Sequence, residues 1–409
     1  MERNTYILDN GLRIVHCPTD AQVVYAGYRV GAGTRDEAPG EEGLAHLCEH
    51  MAFKGTATRK AWQVMTCLDR VGGDLNAFTT KDDTTFHATI LRDHTRRALD
   101  LLTDLVFNST SPDAELEKER EVVCDEIESY NDSPAELIYD DFENVIFSGH
   151  PLGHSILGEA EQVRQYTSSD VQRFMRRHYR PENAVLFVMG ASLADIRSIP
   201  AFRGQTLRPL DATRRQQPEE ASRMQALTDS RTIVRNRGTH QAHVMIGTKA
   251  YAISHPLRMA LYLFNNIIAG PAMNARLNMS LRERRGLVYT VEGALTSYQD
   301  TGTWSVYFGC DPADTDRCLR LVHGEIERFR QHPLTERQLN DARRQLKGQL
   351  GVAMDNREAV ALDISKSFLH QGIARDVADL FPLIDSVTPE QIRQAVDECC
   401  RSLLTIIYQ

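Results

Sequence analysis

Apolar and polar positions divide the chain into short strands and amphipathic helices. Residues 4–9 and 12–16 read as two strands around Asp9-Asn10-Gly11, a strong hairpin turn. VVYAGYRVG at 23–31 predicts a strand, and apolar helices follow at about 43–54 and 61–70. Gly72-Gly73 breaks the chain before two strands, LNAFTT and TTFHATI, joined by the polar turn Lys81-Asp82-Asp83. A helix at about 94–107, a highly charged helix at about 113–130 and a Pro-initiated strand in HYRPENAVLFVMG at 178–190 complete the first half.

The stretch from about 200 to 225 is polar and rich in Pro and Arg. It predicts a linker at 206–225 between an N-terminal domain at 1–205 and a C-terminal domain at 226–409. The pattern then repeats. HVMIGTKA at 243–250 matches the strand at 23–31, and LRMALYLFNNIIAG at 257–270 stands where the first half has GLAHLCEHMAFKG. WSVYFGCDPADTDRCLRLVHGEI parallels FHATILRDHTRRALDLLTDLV, and ERQLNDARRQLKGQL parallels the charged helix ELEKEREVVCDEI. Hairpins set between helices favour mixed, mostly antiparallel sheets over a Rossmann fold. The expected class is α+β, two similar α/β-sandwich domains related by internal duplication.

Composition narrows the function classes. A chain of 409 residues, 42% hydrophobic, has material for a real core, which excludes intrinsic disorder. The net charge of -9, from 56 acidic and 47 basic residues, argues against general nucleic-acid or anionic-membrane binding. No run of 18 apolar residues occurs, so no membrane partner is expected. The opening MERNTYILDNGLRIVH has no signal-like apolar stretch and no transit-like segment, and the eight scattered cysteines form no CxxC. A reducing, cytoplasmic location fits these features.

The chemistry concentrates in His46-Leu47-Cys48-Glu49-His50. On a helix, His46 and His50 project from one face and Glu49 shares it, whereas Cys48 lies about 200° from His46 and points away. Two imidazoles four apart can ligate one zinc ion, and the carboxylate can take a proton from water there; HxxEH is the inverzincin pattern. The histidines stand in an otherwise apolar segment, where unliganded they would carry a desolvation penalty. No such cluster occurs in the corresponding helix of the second half. A catalytic zinc commonly takes a third protein ligand. Spacing alone leaves that ligand open among Glu117, Glu119, Glu121, Asp125, Glu126 and Glu128, although Glu119 and Glu126, seven apart, share a helix face. Segment 113–136 holds ten acidic residues against two basic ones, and most of these read as a solvated face.

An ordered series of motifs runs along nearly the whole chain: GAGTRDE at 31–37, GLAHLCEHMAFKGT at 43–56, GGDLNAFTTKDDTTFHA at 72–88, EREVVCDEI at 119–127, GHPLGHSILG at 149–158, HYRPENAVLFVMG at 178–190 and LRERRGLVYTV at 281–291. This series resembles the insulinase/pitrilysin family of zinc peptidases, in its mitochondrial-processing-peptidase-like bacterial branch. The resemblance implies a zinc metalloendopeptidase acting on unfolded peptides or presequence-like segments. It implies one Zn2+ per chain held by His46, His50 and Glu126, with Glu49 as general base and Glu119 supporting the site from behind the ligands. It places Asn76 and Ala77 against bound peptide, and gives Arg282 and Tyr289 a substrate-binding and catalytic role from the second domain. It further implies a half-shell completed to a closed chamber by another chain, as a homodimer or as a heterodimer with a related subunit. The competing expectation is a non-catalytic structural or peptide-binding subunit, to which the intact motif is opposed.

Overall fold

A computed structural model describes residues 1–212 and 226–409. Most of the expected 206–225 linker therefore lies outside the described residues. The chain forms two compact units. The first gathers Met1–Ser129, Gly149–Gln216 and Met354–Asp376; the second gathers Tyr130–Ser148, Gln217–Ala353 and Val377–Gln409. The units are thus not two consecutive halves, because each includes a helical segment from the other half of the sequence.

The first unit is built on a mixed seven-stranded sheet. Its strands are β1 (Asn4–Ile7), β2 (Arg13–Cys17), β3 (Val23–Val30), β4 (Asp74–Thr79), β5 (Thr84–Leu91), β6 (Ala184–Met189) and β7 (Arg208–Pro209), in the order β4-β5-β3-β6-β2-β1-β7. All neighbours are antiparallel except the β2–β6 pair. The Asp9-Asn10-Gly11 hairpin is present, closed by Leu8 and Leu12. Strand β6 (AVLFVM) is buried at every position, as expected of a strand covered on both faces. Val24, Ala26, Tyr28, Leu186 and Val188 pack against the helices Leu44–Ala52 and Thr95–Asn108. Val15, Val185, Phe187 and Met189 pack against Val360, Ile364 and Phe368 of the helix Arg357–Gln371.

The second unit repeats this plan with β8 (Arg231–Arg235), β9 (Ala242–Ala250), β10 (Val288–Ser297), β11 (Gly302–Cys310) and β12 (Leu404–Tyr408), in the order β10-β11-β9-β12-β8. Again every neighbour is antiparallel except one pair, here β8 and β12. The order matches β4-β5-β3-β6-β2 strand for strand, so the duplication read from the sequence extends to topology. Helix Arg258–Ala269 covers one face and helix Pro134–Ile146 packs on β9 and β12. Gly247 on β9 permits this close packing, since a Cβ there would come within 2.8 Å of the Phe142 ring and 2.2 Å of the Trp304 carbonyl.

Candidate metal centre

The helix Leu44–Ala52 carries HLCEH, and the surrounding motifs fix where it starts. Gly43 at its N-cap has φ +85°, and a Cβ would lie 2.6 Å from the Leu157 carbonyl, so only glycine suits the position. The fully buried Glu37 carboxylate accepts from the Gly43 and Ala45 N–H groups at 3.1 and 2.7 Å, capping the helix with a negative charge at the positive end of its dipole. His154 Nε2 meets the same carboxylate at 2.8 Å. Segments GAGTRDE and GHPLGHSILG therefore serve to anchor the helix.

Leu44, Ala45, Leu47, Cys48, Met51 and Ala52 are buried in the core, leaving His46, Glu49 and His50 as one polar stripe. The Cys48 thiol points to the Val171 carbonyl at 3.7 Å, and burial raises its pKa well above the ordinary value. It is a core residue, as its helical angle required.

The stripe faces the helix Asp113–Asn131. Glu126 Oε2 lies 3.8 Å from His46 Nε2 and 3.4 Å from His50 Nε2, and the three donor groups fall within 4.8 Å of one another. Of the six acidic candidates only Glu126 enters this set among the described residues. Glu117, Glu121, Asp125 and Glu128 are exposed, the solvated face expected of a charge run. Glu119, one turn-pair earlier, is buried; its Oε1 accepts from His50 Nδ1 at 2.9 Å and its Oε2 pairs with Lys54 Nζ at 2.6 Å. Glu49 stays outside the donor set, its Oε2 accepting from the Thr79 hydroxyl at 2.6 Å.

The charges of the cluster are set largely by one another. Burial disfavours charge on His50, but its bonds to Glu119 and Glu126 outweigh this and carry its pKa up to about 9. Burial and the neighbouring His50 drive His46 down to about 4. Glu119 is buried too, yet its bonds to His50 and Lys54 hold its pKa below the ordinary value. Glu126 is lowered chiefly by His50, whereas burial raises Glu49 and the Thr79 bond offsets part of that rise. His46 Nδ1 is buried without a hydrogen-bond partner among the described residues. The donor set fits zinc: two imidazole nitrogens and a carboxylate oxygen, with a carboxylate behind one imidazole fixing its tautomer.

The remaining expected site residues are also located. Asn76 and Ala77 lie on β4, an edge strand, with Asn76 exposed and Ala77 half-buried. Arg282 and Tyr289 belong to the second unit, where Arg282 is half-exposed beside Glu283 at 3.5 Å and Tyr289, on β10, is 88% exposed. Four residues of the centre were not singled out by motif reading: Glu37, Lys54, Thr79 and His154. All sit inside quoted motifs, but their contacts are long-range and leave no spacing signal.

A paired-imidazole, carboxylate cluster on a duplicated α/β scaffold is consistent with a zinc-binding site. Residues 14–160 match the model of the insulinase family (peptidase family M16), and residues 165–346 match that of the peptidase M16 inactive domain. A Bacillus subtilis protein described as an uncharacterized zinc protease is 30% identical over 95% of this chain and 93% of its own length. A similarly described Streptomyces coelicolor protein is 31% identical over 94% and 84%. The bovine mitochondrial-processing peptidase subunit beta is 28% identical over 96% and 81%. Among solved structures, a protease from Helicobacter pylori has the same fold, with a TM-score of 0.87 at 20% identity, covering 100% of this chain and 99% of that one. The chain belongs to the M16, or insulinase, peptidase family.

Proposed function

We propose that the chain cleaves unfolded peptides or presequence-like segments, with Glu49 as general base and zinc held by His46, His50 and Glu126. One observation carries this reading. The helical stripe delivers two imidazole nitrogens to Glu126, while the Glu49 carboxylate on the same face remains outside the donor set. Bound zinc would supply a Lewis acid that acidifies water and polarises a peptide carbonyl. Glu49 takes the proton of the attacking water and passes it to the departing amine. Glu119 accepts from His50 Nδ1, so once His50 is neutral its lone pair lies on Nε2, the nitrogen on the Glu126 side where the ion would bind.

The peptide adds as a strand along β4, beside Asn76 and Ala77, because an edge strand has main-chain groups unpaired on its outer side. Such binding is sequence-tolerant, in keeping with varied substrates. Arg282 and Tyr289 take the role of holding the substrate backbone or the developing oxyanion. Likeness to a processing peptidase subunit supports the presequence-like class. A second copy, or a related subunit, completes the chamber; light-scattering mass of the active pure chain distinguishes these.

The test compares native protein and Glu49→Gln for bound zinc and for cleavage of a quenched peptide. Zinc is retained in both, and Glu49→Gln loses roughly 10²- to 10⁴-fold in rate. Equal activity in the two proteins overturns the reading.

A further inference from the structure

The base candidate is held by a residue that no motif reading assigned. Thr79 is the last residue of β4, and its hydroxyl donates to Glu49 Oε2 at 2.6 Å. Leu75 and Ala77, at the same strand parity, pack on the first-unit core, which turns Thr79 toward the Leu44–Ala52 helix as well. Its hydroxyl has one proton and one competing acceptor, Thr84 Oγ1, at 3.4 Å. Thr84 directs its own proton to the Ala32 carbonyl at 2.9 Å. At 2.6 Å the Glu49 carboxylate, acceptor-only when ionised, is the nearer and stronger acceptor, so the Thr79 proton goes to it. As a β-branched residue in a strand, Thr79 also has little rotamer freedom, so the bond is preorganised. Glu49 Oε1 accepts no hydrogen bond among the described residues, leaving that oxygen to meet substrate water.

We propose that Thr79 is a positioning residue that orients the Glu49 carboxylate, so that β4 both docks the peptide and sets the base. This rests on the reading of Glu49 as general base. Thr79 is not one of the three donors and stands beyond Asn76 and Ala77 at the end of β4, so its loss should leave metal affinity and KM in place and act on kcat.

The experiment measures kcat, KM, zinc affinity by chelator competition and thermal unfolding for Thr79→Val, Thr79→Ser, Glu49→Gln and the double variant Thr79→Val/Glu49→Gln. A hydrogen bond to a charged group predicts a kcat loss of roughly 10- to 100-fold in Thr79→Val. KM and zinc affinity stay within about twofold, Thr79→Ser recovers most of the rate, and the double variant is no slower than Glu49→Gln alone. Thr79→Val with unaltered kcat, or an equal further loss in the Glu49→Gln background, overturns the role of Thr79 alone. So does a Thr79→Ser protein that binds zinc and melts as the native one does yet stays as slow as Thr79→Val. Glu49→Gln as active as the native protein overturns the general-base reading, and the role of Thr79 with it.

Discussion

The two units share a five-strand order and one parallel pair at the same place, yet among the described residues only the first gathers a cluster that could hold a metal ion. Setting Gly55 against Gly270 puts Leu261, Phe264 and Asn265 at the positions of His46, Glu49 and His50. Leu261 and Phe264 are fully buried, and Phe264 packs on Trp304 and Phe329 at ring distances of 5.3 and 4.9 Å. Asn265 is satisfied, accepting from Trp304 Nε1 at 3.0 Å and donating to the Gly293 carbonyl at 3.1 Å. The second unit thus fills these positions with core and a closed hydrogen-bond pair. The fold does not need polarity there, so the half-satisfied stripe of the first unit is explained by the ion it would hold and the reaction it would serve.

The comparison breaks most sharply if the first unit is given the second unit's residue. His46→Leu should abolish stoichiometric zinc and slow peptide cleavage by ~10³-fold or more. The metal-free variant should be about 1 kcal/mol more stable than metal-free native protein, since an unpartnered buried imidazole nitrogen is removed; metal analysis and denaturant titration check both. The reverse asymmetry follows for Phe264→Ala, which should destabilise by about 3–5 kcal/mol in the same titration, whereas Glu49→Ala at the aligned position should cost under about 1 kcal/mol.

Not all buried polarity in the first unit is functional, and Asp83 marks the difference. It is buried in the β4–β5 turn, pairs with Arg29, and meets His370 Nε2 at 2.8 Å. Burial alone would raise its pKa, but the Arg29 guanidinium and His370 outweigh that and hold it at about 2 against an ordinary 3.8. A depressed carboxylate stabilises the fold above its unfolded pKa and loses that contribution as pH falls through the folded value. Native stability should therefore drop by about 2 kcal/mol between pH ~4 and ~2 on account of this group. Asp83→Asn should remove that step in acid titrations followed by circular dichroism, with zinc affinity unchanged. The smallest effect is expected for Glu119→Gln, which should weaken zinc binding about tenfold in chelator competition and leave the fold intact.

Much of this was legible in the chain itself. The hairpin at Asp9-Asn10-Gly11, the helices at 61–70 and 94–107 and the paired strands around Lys81-Asp82-Asp83 follow from turn chemistry and period, and agree with the structure to within a residue or two. The His46, Glu49, His50 stripe follows from helical spacing. Glu126 does not: six carboxylates on one charged helix are equivalent until the helix is packed, and only the family pattern singled it out. The exchange of 130–148 and 354–376 was equally hidden. An amphipathic helix such as Arg357–Gln371 declares that one face must be buried, not which of two similar sheets will bury it. Glu37, Lys54, Thr79 and His154 were invisible for the same reason: Glu37 meets His154, Lys54 meets Glu119 and Thr79 meets Glu49, all partners distant in sequence.

The central claim is that the three donors gathered by the first unit form the zinc site and that Glu49 is not one of them. The most direct test is an anomalous-difference map at the zinc edge from crystals of the zinc-loaded protein. The account predicts one strong peak per chain, about 2.0–2.2 Å from His46 Nε2, His50 Nε2 and a Glu126 oxygen, with Glu49 beyond bonding distance. No peak among these residues, or a peak ligated by Glu49 or by Glu119 in place of Glu126, would contradict it.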